Sequence, residues 1–380
     1  MHRSRKSPHA ALFRGEIRAF IARRRAPELS ARSASAPDRA AWRPWQAALL
    51  ARGWAAPAWP ARFGGAGWSA WEVAAWNEET ARAHLPPSPT LGVDVVGPLL
   101  IAHGAPAQQA RFLPDILSGA AWWGAALAHP DADAPTFRRA AGPSGDERFV
   151  LDGAVRWVAH ADLMDYLLVA ACEAPSPGPP SLFALPLGAP GVALRRLPAV
   201  GPALFEIAVT DVVLEGACLI GEVGAGADLI AFLERPSQRD LAKIPRLRRA
   251  AARALAHARG DRDLERRGAE LQIDLVALDA CARRIALLDR TSPLDGRLLR
   301  LQTTRLEQRL AELALAVAGY GALASEDGPP LPGSNLPPRL AADPPGAARM
   351  YFDALGGALP GARERLYDDA ATAILEGHHG

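Results

Sequence analysis

The stretch GWAAPAWPARFGGAG occupies residues 53–67 and combines tryptophan, proline and glycine at close spacing. Helical patterns lie on both sides of it. Before it, Phe13, Ile17 and Ile21 recur at i, i+4 and i+8 and form one apolar stripe. After it, residues 105–117 carry a proline in their first turn, as helix starts often do. The N-terminal third is therefore predicted to be helical.

The middle of the chain, residues 121–222, has a different pattern. Short apolar runs alternate there with glycine, proline and aspartate, at residues 149–151, 166–169, 182–185 and 207–209. Such runs predict strands, and Asp152-Gly153 predicts a tight turn. The connections are too short for crossover helices, which favours an antiparallel sheet.

Helical spacing returns in the last third. Two stripes of apolar residues recur at the period of a helix: Leu271, Leu275, Leu278 and Ala282, and then Leu299, Leu306, Leu310 and Leu313. Residues 325–346 are rich in proline and glycine and predict irregular structure, and residues 361–375 predict a last helix. Helices, a small β-domain and helices in this order indicate an α+β chain.

The composition narrows the classes of function. The chain has 380 residues, 49% of them hydrophobic, and a net charge of +2 with basic and acidic residues interspersed, which disfavours a nucleic-acid partner. Cys172, Cys218 and Cys281 are far apart, so neither a metal site nor a disulfide framework is expected, and the cytoplasm is the predicted location. No apolar run reaches the roughly 20 residues of a membrane helix.

Several short motifs follow one another in an order that resembles the acyl-CoA dehydrogenase family over almost the whole chain. The Trp-Pro and Phe-Gly-Gly-Ala-Gly pieces within residues 53–67 are among the most recognisable of them, but the resemblance rests on the order of all the pieces over about 350 residues. The matching segments are residues 13–20, 53–67, 77–79, 103–119, 151–157, 212–226 and 308–314.

The resemblance implies an N-terminal helical domain at residues 1–120, a middle antiparallel β-barrel-like domain at 121–224 and a C-terminal four-helix bundle at 225–380. It also implies FAD between the middle domain and the bundle, with a neighbouring subunit completing the site. The family reaction removes an α-proton of an acyl-CoA thioester with a carboxylate base, and the β-hydrogen leaves as hydride to the flavin. The cofactor carries the chemistry, and the protein supplies binding, orientation and the base.

The two flavin motifs of the family are altered here. The first matches residues 127–135, where Leu127 begins the segment, Ala128 replaces a hydroxyl residue and Asp133-Ala134 replaces a Gly-Ser pair that approaches the pyrophosphate. An aspartate carboxylate repels phosphate, whereas glycine permits close approach of the backbone.

The second flavin motif keeps its tryptophan and loses its hydroxyl neighbours. It matches Trp157, Val158 and Ala159, and the family packs this tryptophan on the flavin ring. The alternative is that Trp157 is simply a buried aromatic residue. His129 and His160, at two other altered positions, are interpreted as structural or solvated, because neither has a constellation of metal ligands.

The catalytic base has two candidate positions. Resemblance in the loop before the last helix puts Pro360 where the family has its glutamate, and Glu364 lies one turn further on. The other position is a glutamate before an arginine on the first bundle helix, which Glu234-Arg235 matches although the preceding segment is about three residues short, nearly one helical turn. The alternatives are a solvated Glu364 and a Glu234 paired with a nearby arginine.

A further departure lies in the bundle, where the family has Glu-x-Arg-Gln. Here the segment reads Arg305-Leu306-Glu307-Gln308, so the two charges have exchanged places. Any contact of that arginine with a neighbour's cofactor is therefore lost or changed.

Three functions remain open on the sequence. Some bacterial members of the family, notably those of steroid side-chain breakdown, form heterotetramers in which one type of chain carries the chemistry, and a chain with altered cofactor and base motifs suits the degenerate partner. The alternatives are a self-sufficient dehydrogenase with a displaced base and a flavin-dependent tailoring enzyme. A homo- or hetero-oligomer and a role in lipid metabolism are expected, and the acyl chain is not identified.

Overall fold

Helices, strands and helices follow one another as the sequence predicts. The computed structural model describes residues 8–25, 29, 38–86, 88–127, 135–175, 178–198, 202–288, 291–319, 351, 354 and 371. The chain divides into two compact units: the first comprises Met1–Trp45, Trp68–Pro87 and Gln238–Gly380, and the second comprises Gln46–Gly67 and Ser88–Ser237. The segment 320–350, the predicted last helix at 361–375 and Glu364 within it lie outside the described residues, apart from isolated positions.

The helices account for most of the first unit. The α-helices of the described residues are α1 (Pro8–Arg24), α2 (Arg39–Arg52), α3 (Ala70–Arg82), α4 (Gly97–His103), α5 (Pro106–Ser118), α6 (Gly226–Glu234), α7 (Gln238–His257), α8 (Arg262–Ile285) and α9 (Pro293–Ala318). None of the helices in this part of the chain is long and apolar enough to cross a membrane.

The core of the first unit lies among α7, α8 and α9. Both predicted stripes, on α8 and on α9, are buried there together with Ile244 and Leu247 of α7. Helix α3 packs against both α1 and α7. Ile17 and Ile21 of the predicted α1 stripe are buried, whereas Phe13 is half-buried. The helical prediction for these segments is confirmed. Each segment is a helix, and its apolar stripe faces the core.

The second unit is built on one sheet. Its strands are β1 (Trp123–Ala126), β2 (Thr136–Ala141), β3 (Glu147–Ala159), β4 (Tyr166–Glu173), β5 (Ser181–Pro186), β6 (Val192–Leu197), β7 (Leu204–Glu215) and β8 (Leu219–Ile220). The order is β6-β7-β3-β2-β4-β5-β8, with β1 paired to β4. Its core is rich in aromatic residues, and the rings of Phe137, Phe149 and Phe183 meet edge to face.

Two features of this sheet differ from the sequence prediction. The sheet is mixed rather than antiparallel, because β4 pairs in parallel with β1 and with β2. The intervening hairpin of β2 and β3 gives the chain enough length to return in the same direction. Asp152-Gly153 is not a turn: it lies inside β3, where Gly153 has a φ of 133° and the register with β7 shifts. The pairing of β3 with β7 continues on both sides of Asp152-Gly153, so these two residues form a β-bulge.

The stretch at residues 53–67 owes its composition to one buried ring. Trp59 is buried, and its Nε1–H donates to the carbonyl oxygen of Val93 at 2.8 Å. A Cβ at Gly65 would overlap the Trp59 backbone, and a Cβ at Gly97 would overlap the Trp59 ring. Gly64 has a φ of 79°, which glycine adopts without strain. Gly65 and Gly97 are therefore needed for close packing around Trp59, and Gly64 is needed for its backbone conformation.

Candidate functional site

Trp157 is exposed and strained, so it is not a buried core aromatic. Trp157 has a relative solvent exposure of 54%. Its backbone φ of 65° lies in the left-handed region. That backbone costs a residue with a side chain about 1–2 kcal/mol. The strain coincides with a register shift between Val155 and Val158 in the pairing of β3 with β7. The bulge turns an aromatic face out of the sheet, where a planar ligand can stack on it.

The residues after Trp157 offer no side-chain hydroxyl. Val158 is buried in the core of the sheet, and Ala159 is paired with Leu204 of β7. The backbone N–H of His160 donates to the carbonyl oxygen of Ala203 at 2.8 Å, so it is committed within the protein. His160 itself has a left-handed φ of 53° at the start of a short 3-10 turn, which agrees with its interpretation as a structural residue.

A charged group ties the strands beside Trp157 together. Glu206 of β7 is largely buried and makes ion pairs with Arg156 of β3, at 3.6 Å, and with Arg195 of β6. One carboxylate therefore links three neighbouring strands directly next to the bulge. Such a network restrains the backbone that carries Trp157, because one largely buried carboxylate is held by arginines of both neighbouring strands.

The first flavin motif is described only at its beginning. Leu127 is half-buried and directly follows β1. Ala128, Ala134 and His129 lie outside the described residues. The described candidates, Leu127, Trp157, Val158 and Ala159, would give FAD an apolar and aromatic surface, and hydrogen bonds would have to come from the main chain. They fit the flavin ring as a stacking surface and lack the hydroxyl donors of the family.

Glu234 is the last residue of α6 and is half-buried. The helix stops because Arg235 is extended, with φ −60° and ψ 157°, before Pro236. A carboxylate at a helix C-terminus faces the negative end of the helix dipole, which favours an additional partner. The guanidinium of Arg235 lies over the Phe232 ring, 5.7 Å from its centroid, which is within the range of a cation–π contact.

The sheet does not bring Glu234 and Trp157 onto neighbouring elements. Helix α6 packs against β5 and α4, and Phe232 of α6 meets the ring of His103 edge to face at 4.9 Å. Trp157 lies on β3, and β2 and β4 separate β3 from β5 in the sheet order. Glu234 therefore stays a candidate base whose approach to the flavin surface is a prediction.

The exchanged charges on α9 have their own local roles. Glu307 makes an ion pair with Lys243 of α7 at 3.2 Å, and Arg305 is exposed. The carboxylate that stands where the family has an arginine thus links two helices of this chain. Among the described residues there is no group of three histidine, cysteine or acidic side chains that could hold a metal ion.

Sequence analysis missed a charged cleft in the first unit. It has a volume of about 430 Å³ and is lined by Arg14, Glu78, Glu79, Arg82, Pro245, Arg248, Arg249, Ala252, Gln272, Leu275 and Val276. Glu79 has a side chain only 3% exposed and contacts Arg14 and Arg18, both at 2.9 Å. The available signal was Arg14 and Arg18 at i, i+4 on one helix opposite the pair Glu78-Glu79.

Comparison with known proteins identifies related chains. Residues 7–120 match the family model "Acyl-CoA dehydrogenase, N-terminal domain". The acyl-CoA dehydrogenase IpdE1 of Mycolicibacterium smegmatis is 28% identical over 311 residues, which cover 75% of this chain and 79% of that protein. IpdE1 of Mycobacterium tuberculosis is 32% identical over 228 residues, or 56% of this chain and 59% of that protein.

Solved structures share the fold along the chain. The steroid ACAD Tcur3481-Tcur3483 superposes with a TM-score of 0.77 at 22% identity, and the match covers 98% of both chains. The ChsE4-ChsE5 complex of Mycobacterium tuberculosis superposes with a TM-score of 0.74 at 23% identity and covers 97% of both chains. The predicted order of a helical N-terminal region, a β-sheet domain and C-terminal helices is confirmed at the level of the fold.

Proposed function

We propose that this chain, as a member of the acyl-CoA dehydrogenase family, acts as the degenerate partner subunit of a heteromeric, FAD-dependent acyl-CoA dehydrogenase. Family members are flavoproteins that desaturate acyl-CoA thioesters. In this proposal the chain keeps the fold and the surface for association, and a second family chain supplies the intact base. Its substrate would be an acyl-CoA, and its location the cytoplasm.

The observation that carries the proposal is the strand β3, which presents Trp157. Trp157 keeps its exposed and strained position, while Val158 is buried and Ala159 has no hydroxyl. Strain of about 1–3 kcal/mol is retained where it serves a function. A retained aromatic surface together with missing hydrogen-bond donors fits a chain whose ancestors bound flavin and whose own site has been relaxed.

The candidate bases support the same proposal. Pro360 stands where the resemblance puts the usual glutamate, and proline cannot accept a proton. Glu234 ends a short helix that packs on β5, on the far side of two strands from β3. Neither arrangement resembles a carboxylate built into the flavin surface, so a second chain is the better source of the base.

Similar proteins and the surface of α8 support association. The two solved relatives named above are each described by a pair of proteins, Tcur3481-Tcur3483 and ChsE4-ChsE5. On α8, Ile273 and Val276 are 69% and 63% exposed, and Leu287 and Leu288 just beyond its end are exposed as well. Exposed apolar residues close together on one helix mark an association surface.

The chemistry would be divided between cofactor and protein. FAD, when bound, accepts the hydride that leaves the acyl chain. Trp157 would cover one face of its ring, and the Arg156–Glu206–Arg195 pairs would hold the strand that presents Trp157. If this chain acts by itself, Glu234, or Glu364 outside the described residues, would accept the α-proton.

The self-sufficient dehydrogenase is the second candidate, because Trp157 is kept and Glu234 is half-buried rather than fully solvated. A flavin-dependent tailoring enzyme of the same fold is a further alternative. The test is to purify the chain alone, and also after coexpression with a second acyl-CoA dehydrogenase-family chain encoded beside it. Visible absorbance and bleaching by acyl-CoA are recorded for both.

The partner proposal expects a colourless or insoluble chain alone and a yellow, active complex. A yellow chain that is bleached by acyl-CoA without a partner would contradict it and support the independent enzyme. In that case Glu234→Gln, compared with Glu222→Gln on an exposed turn, decides the base: unchanged turnover in the first variant removes Glu234 from the mechanism.

A further inference from the structure

A group of basic side chains lies at the end of α3. His84 follows this helix with a left-handed φ of 55°. Nη2 of Arg249 lies 3.5 Å from His84 Nε2, and Arg253 lies one turn further along α7. From the end of α1, Arg25 donates to the carbonyl oxygen of Ala83 at 2.8 Å. Three helices thus bring positive side chains to one place.

The pKa of the His84 imidazole reflects these nearby positive charges. Partial burial lowers the pKa of His84, and the positive charges of Arg253, Arg249 and Arg25 lower it further. A histidine beside carboxylates would show the opposite shift. The field at the end of α3 is therefore positive, and a bound anion would be stabilised there.

The charged cleft described above opens beside this group. Arg82 and Arg249 line it, with Pro245, Leu275 and Val276 as apolar lining residues. Arg249 also has a buried Nε with no hydrogen-bond partner in the described part of the chain. A buried donor left unpaired is destabilising, and an anionic oxygen would satisfy it.

The acids of the cleft do not neutralise these arginines. Glu79 is held by Arg14 and Arg18, and Glu78 by Arg14 and Arg283. Asp279, next to the cleft, pairs with Arg248 and Arg283. Within the described residues no carboxylate forms an ion pair with Arg82 or Arg249. The positive charge of these two arginines is therefore available to a ligand.

Capping of α3 explains only part of the cluster. The C-terminal end of a helix carries about half a negative charge, and a basic residue in the last turn is stabilised by it. Arg82 and the contact of Arg25 with Ala83 fit this role. Half a charge does not offset Arg249 as well, which comes from α7.

We propose that the cleft binds a small molecule that carries a phosphate group, with the phosphate held by Arg82 and Arg249 beside His84. Arginine is suited to phosphate because its planar donors contact two oxygens at once. A volume of about 430 Å³ fits a small organic ligand, and Pro245, Leu275 and Val276 would contact its less polar part. This site is separate from the proposed flavin surface and does not depend on it.

The first test measures binding of inorganic pyrophosphate to the full chain by isothermal titration calorimetry at low salt, with AMP as a second probe. Arg249→Gln and Arg82→Gln are each expected to weaken pyrophosphate binding about tenfold, or about 1.4 kcal/mol, because each variant loses a charge-assisted contact. Arg266→Gln is the matched control, because Arg266 is an exposed arginine of α8 that pairs with Asp263 and Glu270.

Affinities that stay within twofold in both cleft variants, or that fall equally in the control, would overturn the proposal. AMP binding that is tighter than pyrophosphate binding identifies a nucleotide-like ligand. AMP binding that is weaker identifies a simple phosphate compound. If the arginine variants do not weaken pyrophosphate binding, the proposal is wrong whichever result AMP gives.

The second test needs no arginine variant and is made on the unaltered chain. The His84 imidazole is followed by NMR across a pH titration, with and without pyrophosphate, and its signal is assigned from its loss in His84→Gln. Bound phosphate is expected to raise the His84 pKa by about half a unit or more, because an anion favours the imidazolium. A titration that pyrophosphate leaves unchanged places the anion elsewhere and overturns the proposal, whatever the flavin experiments give.

Discussion

Single residues carry most of what distinguishes this chain from a generic helical and β-sheet protein. Trp59 is fixed by close glycine contacts and by its hydrogen bond to Val93, and therefore serves the fold. Trp157 has no such packing, since it is exposed and has a strained backbone. The two tryptophans thus differ in packing: Trp59 serves the fold, and Trp157 leaves an exposed ring on which the proposed flavin would stack.

Replacement of Trp157 by glycine separates stability from cofactor binding. Glycine adopts a φ of 65° without strain, so Trp157→Gly is expected to leave the free energy of unfolding unchanged or to raise it by up to about 1 kcal/mol. The same variant loses a stacking surface and is expected to reduce flavin absorbance in the coexpressed complex. Denaturant unfolding and visible spectra measure the two effects.

Phe205→Leu serves as the comparison for Trp157→Gly, because Phe205 lies in the sheet core opposite Val158. It should lower stability and leave flavin absorbance per folded protein unchanged. Trp157→Gly could instead destabilise the chain as much as Phe205→Leu and leave the flavin content unchanged. That result would mean that Trp157 serves the fold alone.

Glu79 makes the stability of the first unit depend on pH. Burial opposes ionisation, but hydrogen bonds and charges of Arg18 and Arg14 outweigh it, and the pKa of Glu79 is lowered below the ordinary value of 4.5. Its contribution is therefore full above pH 4.5 and is lost as the pH falls through the lower, folded-state pKa. Glu79→Gln is expected to cost about 1–3 kcal/mol at neutral pH.

Urea unfolding at several pH values tests the role of Glu79. The difference between the natural chain and Glu79→Gln should shrink below pH 4.5, where both side chains become neutral. Glu312→Gln, on an exposed position of α9, is the control and should change little at any pH. A Glu79→Gln effect of constant size from acid to neutral pH would indicate that shape, not charge, matters there.

At the scale of elements, local patterns predicted helices better than they predicted the sheet. The stripe from Leu271 to Ala282 fixes which face of α8 is buried, because helical periodicity is contained in the sequence itself. The parallel pairing of β4 with β1 and β2 joins segments far apart in the chain, and no local pattern encodes it. Asp152-Gly153 has the composition of a turn, and only its pairing with β7 makes it a bulge.

The candidate site was predictable in part for the same reason. Motif resemblance located Trp157, but its exposure depends on the bulge and on Glu206 of another strand. Resemblance also pointed to Glu234, while the strands that separate its helix from β3 follow from topology. The arginine cluster around His84 is drawn from three helices and has no motif in the chain.

The start of α8 gives a prediction that belongs to one element. Asp261 is its N-cap, and its side chain accepts hydrogen bonds from the backbone N–H groups of Asp263 and Leu264. Asp261→Ala is expected to lower the free energy of unfolding by about 1 kcal/mol, because two N–H groups lose their partner. Asp261→Asn keeps an acceptor and should lose much less. Equal losses in thermal unfolding would exclude capping as the cause.

At the scale of the whole molecule, the proposed function depends on assembly. Ile273 and Val276 of α8 are exposed to solvent. The opposite side of the same helix is buried in the core, where it contributes Leu271, Leu275 and Leu278. A helix that is apolar on two sides leaves one of them for a partner chain. The exposed side is therefore the place where association can be tested without disturbing the core.

The paired variant Ile273→Glu with Val276→Glu is expected to weaken the coexpressed complex at least tenfold, since two carboxylates would be desolvated at the interface. Its helical content and melting temperature as a separate chain should remain close to those of the natural protein, because both positions are exposed in it. Sedimentation velocity measures the complex, and circular dichroism measures the fold. Leu12→Glu on α1, at another exposed leucine, is the control for added charge. If the α8 variant assembles as tightly as this control, this side of α8 is not the interface. The partner chain would then have to bind a different surface.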